Sequence, residues 1–385
     1  MKVNLSRRRF LYLAAGAGAI ASPVPLSRIL LGQQIPRDAV PTSLPEPVIP
    51  YDRRAAVSLV KGQDRRKNIL QSLVAIDEQI APLLKARKYV VIKPNNVSTN
   101  NQLAATHADV LQGILDYLEP RFKGPVVVAE SSAGNTMSGF ENFRYTQVAK
   151  ERQAQRVSLV DLNAEGKYQV IPLLSPDLRV EPVRLAARLL DPDAFIFCAA
   201  VMKTHNVCVA TLSIKNMCLG APLHSAPRAR PGWNDKRKYH GGIRQTHYNI
   251  MLTAQKLAPF WGAAVIDGYE GMEGSGPASG TPVPSRLAIA STDFVAADRV
   301  AVEAMGINPL WMATQQYCWQ VGLGQYDISK IDVRGETISS VRKKYRLHED
   351  IDRQLQWMGP LTDVPPKLGQ IHPILEPRGA SRQLA

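Results

Sequence analysis

The sequence predicts an α/β fold with a mostly parallel, doubly wound (Rossmann-like) sheet and helices on both faces. Three observations lead to this prediction. Short apolar runs typical of buried strands alternate with helical patterns between residues 56 and 345. These runs are continuous rather than alternating with polar residues, as expected for parallel strands covered on both faces. The composition, 45% hydrophobic and 21% charged, is that of a globular protein with a sizeable core.

Six apolar runs are predicted to form strands, at 89–92, 126–129, 157–160, 194–200, 263–266 and 287–290. Helical patterns lie between and after them at 110–118, 142–153, 248–257 and 294–305. Thr106 and Asp109 have the spacing of a capping box, so they are expected to begin the first of these helices. Gly306 is expected to end the last one.

The α/β domain is placed at residues 56–345, with a long basic loop inserted at 220–247. Residues 22–55 are rich in proline and are predicted to form an extended arm. Residues 346–385 are predicted to form a C-terminal tail of similar character. One folded domain with extended ends is therefore expected.

The first 21 residues have the pattern of a twin-arginine (Tat) signal peptide. The stretch Ser6-Arg-Arg-Arg-Phe-Leu11 precedes a short apolar run, and Ala19-Ile-Ala21 offers small residues for cleavage. We therefore expect passage through the twin-arginine translocase and a periplasmic or otherwise exported location. An ordinary secretory signal or a membrane anchor is the alternative. No later run is long and apolar enough to span a bilayer, so no transmembrane segment is expected in the mature chain.

The net charge of +14 suits an anionic partner, such as an acidic small molecule, an anionic lipid or nucleic acid. Export argues against nucleic acid. The four cysteines lack the C-x-x-C spacing of zinc ribbons and ferredoxin-type clusters, so no iron–sulfur cluster is expected. Buried free thiols are the simpler interpretation, because most of these cysteines lie in apolar runs.

Ionisable side chains follow five of the predicted strands, at the edge where α/β sheets bind their ligands. They are Lys93 after the first strand, Glu130 after the second, Asp161 after the third, Lys203 and His205 after the fourth, and Asp267, Glu270 and Glu273 after the fifth. If these strands are parallel neighbours, their end residues converge on one site. The alternative is that strand ends are polar only because they meet water.

Two loop-like segments are candidates for further contacts with a ligand. The insertion carries six basic residues against Asp235, and is interpreted either as a lid over a negatively charged ligand or as a solvated basic loop. Residues 268–280 are rich in glycine but lack the dinucleotide-binding register and the Walker lysine. Their glycines are expected either to bring the backbone close to a ligand or to form a tight turn.

The position of Lys215 depends on the conformation of residues 207–219. If this segment is helical, Thr211 and Lys215 share a face four residues apart, and Lys215 can lean towards His205. If the segment is extended, Lys215 points elsewhere.

Several of these motifs together resemble the family called domain of unknown function 362, in a twin-arginine-exported form. The resemblance rests on Lys93-Pro-Asn95, Thr106-His107, Glu130-Ser131, Lys203-Thr-His205, Lys215-Asn216, and Asp267-Gly268 with Met272-Glu-Gly-Ser-Gly-Pro277, and it spans roughly residues 87–306. Some members carry a ferredoxin-like module, which this sequence lacks. The resemblance implies a recurring site and no particular reaction.

The leading hypothesis is an exported enzyme that binds an anionic small molecule at the carboxyl ends of the strands. The candidate catalytic residues are His205, Glu130 and Asp267, and the candidate substrate-binding residues are Lys93, Asn95, Lys203, Lys215, Asn216 and Arg244. A divalent metal is a candidate cofactor, with His107 and Glu273 as ligands. The alternatives are a protein that binds a metal or redox cofactor and a non-catalytic anion-binding protein of the cell envelope.

Overall fold

A computed structural model of the protein describes residues 51–225, 229 and 232–359, and a large sheet lies at its centre. The strands are β1 Ala55–Lys61, β2 Tyr89–Lys93, β3 Val126–Glu130, β4 Val157–Asp161, β5 Tyr168–Leu174, β6 Val180–Ala186, β7 Ala194–His205, β8 Val209–Thr211, β9 Trp261–Glu273, β10 Thr281–Val283, β11 Leu287–Ser291 and β12 Ile331–Gly335.

The helices lie between and after these strands. They are α1 Arg65–Val74, α2 Asp77–Lys85, α3 Ala108–Leu118, α4 Thr136–Asn142, α5 Tyr145–Glu151, α6 Leu162–Glu165, α7 Ser213–Gly220, α8 Ile243–Leu257, α9 Phe294–Ala304, α10 Ala313–Gln320, α11 Ile338–Val341 and α12 Ile351–Gln354. The predicted helix at 142–153 corresponds to the shorter α5, and the preceding α4, which was not predicted, ends at Asn142. Arg144, which has a positive φ of 64°, lies between the two helices.

The strand order of the sheet is β12-β1-β11-β9-β7-β2-β3-β4. The predicted mixed α/β architecture with a mostly parallel sheet is confirmed, because β9, β7, β2, β3 and β4 are successive parallel neighbours. The predicted Rossmann-like doubly wound topology is not confirmed. Strand β11 is antiparallel to both β1 and β9, and β8 and β10 pair antiparallel with β7 and β9. The short connections that lead into β8, β10 and β11 favour antiparallel pairing, because parallel neighbours need a longer crossover.

Successive residues of the central strands enter two different apolar cores. Val91 and Ile196 pack into the core that α7, α8, α9 and α10 cover. Val90 and Phe195 pack into the other core, against α1, α2 and α3. Because side chains alternate along a strand, a strand buried on both faces must be apolar at nearly every position, which explains the continuous apolar runs.

Strands β7 and β9 are longer than their apolar runs predict. Lys203, Thr204 and His205 belong to β7 rather than to a turn after it, and all three are buried. The extension of β7 pairs with β8, and that of β9 pairs with β10. Polar residues continue these strands because they find partners there; the Thr204 hydroxyl, for example, donates to the carbonyl oxygen of Gly274 at 2.9 Å.

Helix α3 begins with a different cap from the predicted one. His107 is the N-cap, and its Nδ1 accepts a hydrogen bond from the backbone N–H of Asp109 at 3.1 Å. Thr106 instead joins two strand ends: its hydroxyl accepts from the backbone N–H of Asn95 at 2.8 Å and donates to the carbonyl of Ala199 at 2.7 Å. Thr106 therefore fixes the loop after β2 against β7.

The ends of the domain differ from the predicted boundaries where the structure describes them. The predicted signal peptide and the arm as far as residue 50 lie outside the described residues. The predicted tail is folded up to residue 359, and Ile351 and Leu355 are buried in the core. The insertion is only partly a loop, since it contains a 3₁₀ turn at Asp235–Tyr239 and the first residues of α8. Within the described ranges, no helix has the length and apolarity to cross a membrane.

Candidate functional site

A cavity of about 500 Å³ opens at the carboxyl ends of β2, β3 and β7. The chain runs outward from β2 to β3 and β4, and then places β7 on the opposite side of β2. The cavity thus lies where the strand order reverses, which is the usual ligand position in open α/β sheets. Strand β8, helix α7 and the Asp235–Tyr239 turn form its other walls.

Basic and hydrogen-bonding side chains dominate the polar lining of this cavity. Among the described residues, the polar and charged lining consists of Asn95, Glu130, Ser131, Lys203, His205, Asn206, Thr211, Lys215, Asn216, Asn234, Lys236, Arg237 and His240. Glu130 is the one carboxylate in this set. The cavity therefore presents an excess of positive charge to anything that enters it.

Glu130 is fully engaged by neighbouring donors. Its Oε2 accepts from Lys93 Nζ at 3.0 Å and from the backbone N–H of Asn96 at 3.2 Å, and its Oε1 accepts from the backbone N–H of Ser131 at 2.8 Å. Lys93 is fully buried and also donates to Asn216 Oδ1 at 3.1 Å and to the carbonyl of Pro94 at 3.0 Å. This ion pair balances the charge of Glu130 internally and leaves it little capacity to neutralise the other lysines.

Lys203 reaches the cavity from the extension of β7. Its Nζ donates to the carbonyl of Ala104 at 2.6 Å. Burial lowers the pKa of Lys203 well below its ordinary value, and the neighbouring Lys215 lowers it further. An anion beside Lys203 would supply the negative charge that this buried ammonium lacks.

Helix α7 carries Lys215 and Asn216 to the cavity wall. Its N-terminus is held by Asp298 of α9, whose carboxylate accepts from the backbone N–H groups of Ser213 at 2.8 Å and Ile214 at 3.0 Å. Burial raises the pKa of Asp298 to about 7, although these hydrogen bonds oppose the increase. Thr211 is in β8 rather than in the helix, and both Thr211 and Lys215 line the cavity with His205.

Lys236 forms part of the opposite wall. Its Nζ donates to the Ser131 hydroxyl at 2.8 Å and to the carbonyl of Leu219 at 3.0 Å. Burial lowers the pKa of Lys236 to about 7, while the negative charge of Glu130 acts in the opposite direction. The basic insertion thus contributes a lysine to the cavity. This lysine is carried by the Asp235–Tyr239 turn.

His205 is held in one tautomer by the backbone. Its Nδ1 accepts hydrogen bonds from the N–H groups of Val207 at 2.9 Å and Cys208 at 3.2 Å. Burial, and then Lys215 and Lys203, lower the pKa of His205 well below its ordinary value. The ring is therefore neutral near pH 7, and its proton is on Nε2, because Nδ1 is occupied as an acceptor.

Glycine allows close backbone approach at two places beside the cavity. A Cβ atom on Gly220 would lie 2.1 Å from Lys93 Nζ, so a larger residue at the end of α7 would displace that ammonium from its present position. A Cβ atom on Gly276 would lie 2.0 Å from the carbonyl oxygen of Thr204. The next residue, Pro277, lines the cavity. The glycine-rich segment thus serves close backbone packing beside the cavity.

Two of the residues expected at the site lie outside the cavity. Asp267 faces α1, where its Oδ2 is 3.3 Å from Arg65 Nε and its Oδ1 accepts from the backbone N–H of Tyr269 at 2.9 Å. Arg244 donates to the carbonyls of Trp357 at 3.2 Å and Gly359 at 2.6 Å, and so holds the C-terminal segment on α8. The other expected catalytic and substrate-binding residues line the cavity, apart from Lys93, which is buried behind its wall.

The two residues expected to bind a metal are in different places. His107 contacts Asp109, with 3.2 Å between Nδ1 and Oδ2. Glu273 accepts a hydrogen bond from the backbone N–H of Arg346 at 2.9 Å. Over the part of the chain that the structure describes, no three His, Cys, Asp or Glu side chains are grouped as a metal site would require. The four cysteines are all buried free thiols, as expected.

Several lining residues lie outside the set that the sequence predicts for the site. Lys236 and His240 are predicted only as members of the basic insertion at 220–247, and no sequence pattern indicates Asn206. A useful signal was the Asn234-Asp235-Lys236 sequence, since Asn234 caps the following 3₁₀ turn by accepting from the backbone N–H of Lys236 at 3.0 Å. A capped turn positions its first lysine more firmly than a solvated loop does.

The sequence profile of the family described as Domain of unknown function (DUF362) matches residues 90–303, more than half of the chain. The chain belongs to this family. The matched range contains every residue described above as lining the cavity. The DUF362 assignment therefore covers the whole candidate site, but its description supplies no reaction.

Comparison with other proteins adds little beyond the family. No curated protein matches the sequence. A crystal structure of a protein from Thermotoga maritima is similar over 68% of this chain and 60% of that chain, with 10% sequence identity and a TM-score of 0.39. The protein described here therefore spans about 60% of the length of the Thermotoga maritima protein.

Proposed function

We propose that this protein is an exported enzyme that binds an anionic small molecule in the cavity at the ends of β2, β3 and β7. The observation that carries the proposal is the charge of the lining. Lys203, Lys215 and Lys236 surround a cavity whose one carboxylate among the described residues, Glu130, is already paired with Lys93. An anion would complete the charge balance that the protein itself leaves incomplete.

The lining also offers neutral hydrogen-bonding groups: the Asn95 amide oxygen can accept from a ligand hydroxyl, and the Thr211 hydroxyl can donate to a ligand oxygen. Asn95 and Thr211 are buried, and the side-chain oxygen of each has no hydrogen-bond partner among the described residues. Buried polar atoms are normally satisfied, so partners supplied by a ligand would account for both. A carboxylate or phosphate group together with a hydroxyl or carbonyl group fits this combination of lysines and neutral polar groups.

His205 supports a catalytic role because of its fixed tautomer. Its Nε2–H is the free end of the ring, since two backbone N–H groups occupy Nδ1. In this state the imidazole donates a hydrogen bond to a substrate oxygen. We assign His205 the role of stabilising negative charge that develops on that oxygen, with Lys203, Lys215 and Lys236 holding the anionic group. Glu130 orients Lys93 and the loop after β2 rather than removing a proton.

Export through the twin-arginine route remains part of this proposal. It is supported by the sequence Ser6-Arg-Arg-Arg-Phe-Leu11 at the start of an apolar run. This translocase would deliver the domain already folded to the periplasm or an equivalent compartment. The substrate would then be an anion available outside the cytoplasm.

Calorimetric titration with sulfate and citrate tests the binding site. We expect both to bind, and we expect Lys236→Met to weaken binding at least about tenfold, the effect of about 1.4 kcal/mol. Lys256→Met is the matched control, because Lys256 is exposed on α8 and does not line the cavity. Equal weakening by both variants, or no binding of either anion to the folded protein, would overturn the proposal.

A further inference from the structure

Lys215 differs from the other lysines of the site in having no internal partner. Lys93, Lys203 and Lys236 each donate to at least one protein oxygen. The Nζ of Lys215 has no hydrogen bond or ion pair with any described residue, although the side chain is half-buried in the cavity wall. A lysine held without an acceptor is more available for chemistry than for structure.

The surroundings of Lys215 favour the neutral amine. Burial is the main effect that lowers its pKa; Lys93 lowers it further, whereas the Cys208 thiol acts in the opposite direction. Neutral amines are nucleophiles, and lysines that are desolvated or placed beside another cation are those that proteins use to form Schiff bases. The surroundings also contain a hydrogen-bond donor for a carbonyl oxygen, because His205 lines the same cavity and carries its proton on Nε2.

We propose that Lys215 forms an imine with the carbonyl group of an anionic oxo compound, such as a 2-oxo acid, bound in the cavity. This inference rests on the proposed function, since the same cavity must bind the anionic group. In it Lys203 and Lys236 hold the carboxylate, which places the neighbouring carbonyl carbon within reach of Lys215.

The chemistry balances without any other reactant. The Lys215 nitrogen forms a bond to the carbonyl carbon, the second carbon–oxygen bond breaks, and one proton of the nitrogen moves to the oxygen, which yields a carbinolamine. The Nε2–H of His205 donates a hydrogen bond to that oxygen as its negative charge develops, and His205 keeps its proton. The second step breaks the carbon–oxygen bond: the oxygen leaves as water with one further proton from the nitrogen, and a carbon–nitrogen double bond remains. No oxidant or reductant is consumed, and the imine is reversible until it is trapped.

Reductive trapping tests this inference. The folded protein is incubated with pyruvate or 2-oxoglutarate and then treated with borohydride, which converts an imine into a stable secondary amine. We expect a single adduct, which peptide mass spectrometry places on Lys215. Lys215→Arg keeps a long basic side chain but cannot form an imine, so we expect it to abolish the adduct. Lys256→Arg is the matched control, because Lys256 is exposed and does not line the cavity, and it is expected still to form the adduct on Lys215.

The possible outcomes separate this inference from the proposed function. An adduct on Lys215 in the wild-type protein that disappears in Lys215→Arg supports the imine. Adducts spread over exposed lysines such as Lys256, or persisting in Lys215→Arg, overturn it. No adduct from a protein that still binds sulfate overturns the imine alone. No adduct from a folded protein that binds no anion overturns both proposals.

Discussion

Glu130 and Lys93 form the most enclosed ion pair of the site, with side-chain exposures of 3% and 0%. In water an ion pair contributes little to stability, but this pair is shielded from solvent. Removing one partner of a buried pair leaves an uncompensated charge, which typically costs about 3–5 kcal/mol. The pair is therefore first a structural requirement that fixes the loop after β2.

We expect Glu130→Gln to lower the free energy of unfolding by about 3 kcal/mol, because Lys93 loses its counter-ion without gaining water. Urea denaturation followed by circular dichroism measures this change. The matched control is the double variant Lys93→Met/Glu130→Gln, which removes both charges and should recover much of the loss. A single variant as stable as the wild type would show that Lys93 does not need Glu130.

The pH dependence of anion binding follows from Lys236. Its pKa of about 7 is below the 10.5 of a free lysine, so the empty cavity loses this charge as the pH rises through 7. Anion binding favours the protonated form, and sulfate affinity should therefore fall as the pH rises above about 7. Calorimetry between pH 6 and 9 measures this trend; sulfate is suitable because it does not itself titrate in this range.

The other titratable groups that face the cavity also affect this measurement, so it needs a control variant. His205 and His240 have pKa values lowered from 6.5, chiefly through burial, so they lose little charge as the pH rises above 7. Lys203 and Lys215 also have lowered pKa values and add to the same trend. Lys236→Arg keeps a charge at all these pH values, so its affinity should decline less steeply. A wild-type affinity that rises with pH would contradict this account.

At the scale of single elements, α7 shows how a helix terminus can place a functional residue. Asp298 lies in α9 and does not line the cavity, yet it accepts from the first two N–H groups of the helix that carries Lys215. We expect Asp298→Asn to lower the free energy of unfolding by about 1–2 kcal/mol, the usual effect of losing such a cap. It should also weaken sulfate binding, because Lys215 and Asn216 would be less well held.

The sign of the pH effect provides a second check on Asp298. Burial raises its pKa from 3.8 to about 7, so the folded chain binds more protons than the unfolded chain between these values. Its contribution to the free energy of unfolding therefore decreases as the pH rises from about 4 to 7. The Asn variant should lack this part of the pH dependence in denaturation experiments. An identical pH profile for both proteins would argue against this account.

The apolar runs predict β2, β3, β4 and β11 well and find β7 and β9 without their full length. They miss β1, β5, β6, β8, β10 and β12. Strands β2, β3 and β4 are found within one residue of their apolar runs, because each run is followed by an ionisable residue at the strand end. Strand β7 continues through Lys203 and His205, although polar residues after an apolar run usually indicate that the strand has ended. Their burial depends on partners distant in sequence, such as the Ala104 carbonyl, and no local pattern reveals such partners.

The same reasoning explains which site residues could be found. Lys203, His205 and Glu130 converge because their strands are near neighbours around β2, as parallel strand ends should. Asp267 also follows an apolar run, but its side chain faces α1 because successive residues of β9 alternate between the two sheet faces. Strand order and facing are properties of the whole sheet, and the polarity of one strand end does not determine them.

At the scale of the whole molecule, the export signal makes a separate prediction. Replacing Arg7 and Arg8 by Lys in the full chain keeps the positive charge but removes the paired arginines. We expect this double variant to accumulate in the cytoplasm of its host, whereas the wild type reaches the periplasm. Cell fractionation with immunoblotting measures the distribution. Lys2→Arg, in the same basic segment, is the control and should leave export unchanged; export of both proteins would exclude the twin-arginine route.

The unbalanced lysines of the cavity also have a consequence for finding the natural substrate. Like charges held together in the empty site oppose folding, so any anion that fits should make the protein harder to melt. A ligand present at a hundred times its Kd raises the free energy of unfolding by about 2.7 kcal/mol. The melting temperature of the protein therefore reports ligand binding. A library of metabolites can be ranked by the increase in melting temperature that each causes, before any reaction is known.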